Sequence, residues 1–214
     1  MNVGVPRPIA SKSGMSGIDK IPTADPVFVS APGPNPVDGS GLEGDSLCDT
    51  KNHGGNDQAV YAYAREDLDW WEADLDMPLR SGMFGENLTT VGLDVTGALI
   101  GERWRVGRDV ILQVTCPRIP CGTFRAWIDR PGWVKRFTQR AVSGAYLKVV
   151  TPGAVQVNDG IVVAERPDHD VTIGMLFRAL TTERDLLPRV LAAGPYLTEE
   201  ARLRAERREQ FQLF

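Results

Sequence analysis

The chain has 214 residues, 42% of them hydrophobic, and a net charge of −4, which suits one large globular domain or one domain with a small appendage. No stretch approaches the roughly 20 apolar residues of a membrane-spanning helix. The start, MNVGVPRPIASKSG, lacks the apolar region of roughly 7–15 residues that a secretory signal needs, so the cytoplasm is the expected compartment.

In chain order, residues 1–50 are rich in Pro, Gly and Ser and read as brief strands joined by turns. Ala59–Tyr63 has strand composition. From Glu66 to Leu75 the spacing becomes helical, with Leu68, Trp71 and Leu75 on one stripe, and Pro78 and Gly82 close the element. From Val91 to about Arg166 the signal is mostly β: Val110, Leu112 and Val114 alternate with Ile111, Gln113 and Thr115, and Ala145–Val150 is a second run. Val155–Glu165 reads as a hairpin turning at Asn158-Asp159-Gly160. Such short strands favour a barrel or compact mixed sheet over a doubly wound fold. Beyond Pro167, Met175–Leu180, Leu186–Leu191 and Glu199–Phe211 read as three short helices, with Thr182 and Thr198 as N-caps and Gly194-Pro195 as a break. The Arg202, Arg204, Arg207 and Arg208 group alternates with Glu199, Glu200, Glu206 and Glu209. That is a solvated helix face rather than a nucleic-acid surface.

Three cysteines, Cys48, Cys116 and Cys121, are too few and too odd for a disulfide framework. Cys121 is the candidate centre of chemistry. It lies in Pro117-Arg118-Ile119-Pro120-Cys121, a loop held by two prolines, and Arg118 would favour its thiolate, the form that acts as nucleophile or soft metal ligand. The alternative is a small buried hydrophobe. Cys48, His53, Cys116 and Cys121 could also be combined into a zinc tetrahedron, although the four-residue separations sit at the edge of the usual pattern. His53-Gly54-Gly55-Asn56-Asp57-Gln58 offers an imidazole beside glycines that let a ligand approach the backbone, or else an ordinary loop histidine. Phe84-Gly85-Glu86-Asn87-Leu88 presents Glu86 and Asn87 on a turn. Ser11–Lys20, which contains Lys12, Ser16 and Lys20, has hydroxyls, glycines and lysines of the kind that cradle a phosphate, without a Walker pattern.

Five segments occur in a fixed order: G-L-E-G-D (41–45), H-G-G-x-D (53–57), F-G-E-N-L (84–88), P-R-x-P-C (117–121) and G-A-x-V-x-x-x-D-x-I (153–161). Together they resemble the MOSC domain, named after the C-terminal domain of molybdenum cofactor sulfurases. The chain is most similar to the stand-alone bacterial proteins of the hydroxylaminopurine-resistance type. That resemblance implies a mainly β fold with some α: a MOSC-type β-barrel domain over residues 1–168, then a three-helix extension over 171–214. It implies the molybdenum cofactor, a pterin dithiolene, with Cys121 either ligating molybdenum or carrying sulfur. Relatives of this type reduce N-hydroxylated bases and related compounds to amines. His53 and Asn87 would then line the pocket as proton or hydrogen-bond donors. Lys12, Ser16, Lys20, Gly54, Gly55, Arg118 and Arg136 become candidates for holding the cofactor, the cations for its phosphate. Electrons would come from a partner reductase or flavoprotein. Two positions depart from the family pattern: Gln58 stands where Lys is common, and Asn158 where Gly is usual. The other readings are a sulfur carrier with a Cys121 persulfide and a non-catalytic cofactor-binding protein.

Overall fold

The computed structural model describes residues 1–35 and 39–213. Short strands open the chain: β1 (Asn2–Gly4), β2 (Arg7–Pro8), β3 (Met15–Ser16), β4 (Lys20–Pro22) and β5 (Val27–Val29). β1 pairs with β4 and β2 with β3. The main framework is a curled half-barrel of six strands: β6 (Val60–Ala64), β7 (Leu88–Thr90), β8 (Arg103–Val106), β9 (Val110–Pro117), β10 (Ala145–Thr151) and β12 (Ile161–Glu165). Their order is β12-β8-β9-β10-β6-β7. Every neighbouring pair is antiparallel except β6 with β7. β9 realises the Val110/Leu112/Val114 alternation, with those three side chains buried.

The helix read at Glu66–Leu75 is α1 (Arg65–Leu75), which buries Leu68, Trp71 and Leu75 as the stripe requires. It ends at Asp76 in the left-handed region, two residues before Pro78. Two further helices lie inside the stretch read as mostly β: α2 (Gly122–Ile128) and α3 (Trp133–Arg140). Their signal is two i,i+4 pairs, Phe124/Ile128 and Trp133/Phe137, all four buried. The Val155–Glu165 hairpin does not form. β11 (Gly153–Val155) pairs with β5, while β12 pairs with β8, so the Asn158 turn joins strands of two sheets. Asn158 itself takes φ 68°, which asparagine tolerates better than most residues.

Beyond the sheet lie α4 (Ile173–Thr181), α5 (Leu187–Val190) and α6 (Glu199–Arg207). Thr198 caps α6 through a bond from Ala201 N at 3.3 Å, as read from sequence. Thr182 caps no N-terminus and instead closes α4; the N-cap of α4 is Thr172, whose Oγ1 accepts from Met175 N at 3.0 Å. Gly194 breaks the helical path at φ 52°, ψ −122°.

The apolar interior has two parts. One joins the sheet residues Trp104, Leu112, Val114 and Leu147 to Leu176, Leu180, Leu187 and Val190 of the C-terminal helices. The other is aromatic and gathers Tyr61, Tyr63, Trp71, Phe84, Phe124, Trp133, Phe137 and Phe177. Phe124 sits edge-on to Phe84, Trp133 and Phe137 with centroids about 5.2 Å apart in each case. That contact locks α2 in place immediately after Cys121.

Candidate functional site

β9 ends at Pro117, and the chain then crosses Arg118-Ile119-Pro120 to reach Cys121, the N-cap of α2. The β10 partner of Cys116 is Tyr146, and the register shifts between Tyr146 and Leu147. Bulges of this kind re-aim side chains next to sites. Cys121 is half-buried and borders an open cleft of about 1050 Å³. It also borders a side chamber of about 80 Å³.

His53 and Cys121 border the same two cavities, and each perturbs the other's titration. Burial pushes the thiol up, but its interaction with His53 and the Arg118 charge outweigh it and bring its pKa down to about 6. For His53, burial lowers the pKa, yet the neighbouring Cys121 raises it above the ordinary value on balance. The pair therefore tends toward thiolate and imidazolium near neutrality. A single backbone turn, with His53 N bonded to Asp49 O at 3.1 Å, positions the ring. His53 Nδ1 faces Asp49 Oδ2 at 3.6 Å, and Asn52 Nδ2 holds both Asp49 oxygens at 3.1 Å.

Arg118 is 6% exposed. Its guanidinium lies 3.9 Å from the Phe124 ring centroid and 5.1 Å from that of Tyr61, and it donates to the Phe84 carbonyl. Gly85 beside it turns at φ +78°, a conformation that favours glycine, and a Cβ there would crowd Ile18 Cγ1 at 3.1 Å while only touching Arg118 Nη1 at 3.5 Å. Cys116, by contrast, is held at about 12 by burial and behaves as core.

The structure brings Cys121, His53, Arg118, Lys12, Ser16 and Lys20 to the two cavities. Lys12 lines the cleft and Ser16 the chamber. Lys20 is buried on Asp45. Gly54, Gly55, Asn87 and Arg136 line neither cavity. Gly54, at φ +86°, packs so closely on Gly39 that a Cβ would meet its carbonyl oxygen at 2.6 Å. Asn87 ties the framework together: Oδ1 accepts from Tyr61 N at 3.1 Å and Nδ2 donates to Asp45 at 3.0 Å. Arg136 bonds to Asp74 of α1. Glu86 accepts from Phe84 N at 3.0 Å and Thr89 Oγ1 at 2.8 Å. Asp45 of G-L-E-G-D and Glu86 and Asn87 of F-G-E-N-L thus brace the fold, while Gly85 lines the chamber. Cys48, His53 and Cys121 border the chamber and Cys116 does not, but among the described residues no three such groups are placed to share a metal ion.

Sequence reading missed Asp49, Arg125, Arg130 and Tyr146 at these cavities. Arg125 was findable, since it follows Cys121 by one turn of a helix whose apolar i,i+4 signal was present. Lys12, Arg125 and Arg130 face the cleft without a carboxylate partner among the described residues. A soft thiolate beside such free cations fits a sulfur-rich metal centre carrying a phosphate. The cleft volume also suits a cofactor-sized ligand.

The half-barrel, the Cys121 loop and the thiolate at the cleft define a class that the comparisons identify. A profile of the MOSC domain matches residues 49–162, and the chain belongs to that family. YflK of Bacillus subtilis is 33% identical over 132 residues, covering 62% of this chain and 59% of that protein. YiiM of Escherichia coli is 31% identical over 136 residues, covering 62% of this chain and 60% of its own length. A Gibberella moniliformis protein named Reductase is 31% identical over 146 residues, which span 66% of this chain and 24% of that protein. The chain therefore spans about three-fifths or less of these curated relatives. The crystal structure of YiiM from Geobacillus stearothermophilus superposes with a TM-score of 0.77 at 28% identity, over 97% of this chain and 96% of that one.

Proposed function

We propose that this MOSC protein binds the molybdenum cofactor in the cleft, with Cys121 as the protein ligand to molybdenum, and reduces N-hydroxylated compounds to amines. The observation that carries this reading is the placement of Cys121 and His53 together in the lining of a cofactor-sized cleft, where His53 and the Arg118 charge lower the thiol pKa to about 6. The similarity to a protein named Reductase supports the reaction type. The balance is R–NH–OH + 2e⁻ + 2H⁺ → R–NH₂ + H₂O, and the bound cofactor supplies the electron pair. The chain's own residues bind and move protons. Lys12, Arg125 and Arg130 hold the anionic end of the cofactor, and His53, oriented by Asp49, delivers a proton to the leaving oxygen. A separate reductase or flavoprotein restores the electrons.

The test is elemental analysis of protein made in a host that synthesises the cofactor, coupled to reduction of an N-hydroxylated base with an artificial electron donor. Stoichiometric molybdenum with turnover supports the reading. A depressed thiol pKa also favours one alternative, a sulfur carrier with a Cys121 persulfide. Labile sulfane sulfur without molybdenum would select it. Bound cofactor without turnover on any N-hydroxylated compound would leave a binding protein.

A further inference from the structure

The cleft and the side chamber meet at Cys121. Ser13, Asp49, His53 and Thr123 border both spaces with it, so these residues form a shared sill. The two spaces differ in scale and in lining. The cleft, about 1050 Å³, is walled by Lys12, Arg125 and Arg130. The chamber, about 80 Å³, is lined by Ile18, Leu47, Tyr146 and the buried Arg118. A cavity of roughly 150 Å³ takes a benzene ring, so the chamber admits only a few non-hydrogen atoms and cannot take a pterin. Its donors are of the kind an N–O oxygen needs. The Arg118 guanidinium lies against Tyr61 and Phe124, and the Tyr146 ring lies tilted by 35° against Tyr61 with centroids 4.9 Å apart.

From this division we infer that the side chamber is the substrate subsite. It takes the N–OH end, with Arg118 and Tyr146 donating to the oxygen, while Ile18 and Leu47 limit the substituent allowed on nitrogen. The inference rests on the reading that N-hydroxylated compounds are the substrates. It adds that selectivity is steric and local: slender hydroxylamines and hydroxamates enter, and compounds with a branched group on nitrogen do not. The bulk of a substrate beyond the N–OH group remains in the cleft and is discriminated little.

The test uses metal-free full-length protein, with acetohydroxamate and N-tert-butylacetohydroxamate titrated while the NMR signals of Ile18 and Tyr146 are followed. Acetohydroxamate should bind and shift both signals, with the tert-butyl compound at least ~10-fold weaker. Ile18→Ala should narrow that gap by ~10-fold through better binding of the branched probe, and Leu47→Ala, the second variant, should act in the same direction. Equal binding of both probes to the wild type overturns the inference. So do shifts confined to Arg125 and Arg130, unchanged selectivity in two folded variants, or no binding at all. A companion assay on molybdenum-loaded protein compares kcat/KM for the matching N-substituted hydroxylamines, and equal values there also overturn it. Protein that acquires no molybdenum counts against the proposed function, while the metal-free titration still decides the chamber.

Discussion

Cys121 and Cys116 stand five positions apart, yet they are opposite chemical objects. Cys116 lies on a strand with its pKa pushed up to about 12. Cys121 caps a helix beside an imidazole and a guanidinium, and its pKa falls to about 6. In metal-free protein, alkylation of Cys121 by iodoacetamide should therefore rise through about pH 6. Removing His53 leaves chiefly the Arg118 charge to oppose burial, which raises the pKa, so His53→Ala should move the profile to higher pH. A profile unmoved by His53→Ala would remove the pair from the account. Arg118→Met should lower molybdenum content, but the change does more than delete a charge. It leaves the Phe84 carbonyl without its buried donor, at a cost of about 1–3 kcal/mol, so thermal stability should fall as well. Metal loss with unchanged stability would mean Arg118 contributes only electrostatics.

At the scale of elements, the segments read as motifs divide into two jobs. Asp45 of G-L-E-G-D accepts from Lys20, from Gly4 N at 2.6 Å and from Asn87 at 3.0 Å. Lys20 is 5% exposed, so Asp45→Asn strands a buried ammonium and should destabilise by about 3–5 kcal/mol. Urea melts of the folded variant measure it, and a shift below about 1 kcal/mol would show that water compensates the lysine. The strands and the α1 stripe were legible because their apolar periods are local. α2 and α3 were not, because eight or fewer residues give a weak period and the β signal on either side dominated. The thiol and histidine were legible from their loop chemistry. Asn87 was read as a pocket residue because a turn that presents polar groups looks the same whether they meet a ligand or a neighbouring strand. Asp49 and Tyr146 were not found, since their roles come from a loop turn and a bulge with no sequence period.

At the scale of the molecule, no helix among the described residues is long and apolar enough to cross a membrane. The C-terminal helices share the sheet's core. Phe177 packs on Phe137 with centroids 6.2 Å apart, and Phe137 belongs to the aromatic cluster that fixes α2. Phe177→Ala should cost about 3–5 kcal/mol. A chain ended after Arg166 should melt at lower temperature and self-associate, because the core that Leu112, Val114 and Trp104 share with the C-terminal helices loses the cover of α4. A truncated chain as stable as the whole one would show that the helices are a separate appendage.

The central claim is that Cys121 is the molybdenum ligand, and X-ray absorption at the molybdenum edge tests it most directly. Protein from a cofactor-making host should show one thiolate sulfur at molybdenum beyond those of the dithiolene. Cys121→Ser should either lose that sulfur or lose the metal, with circular dichroism unchanged. Full molybdenum loading and an unaltered sulfur shell in Cys121→Ser would contradict the account.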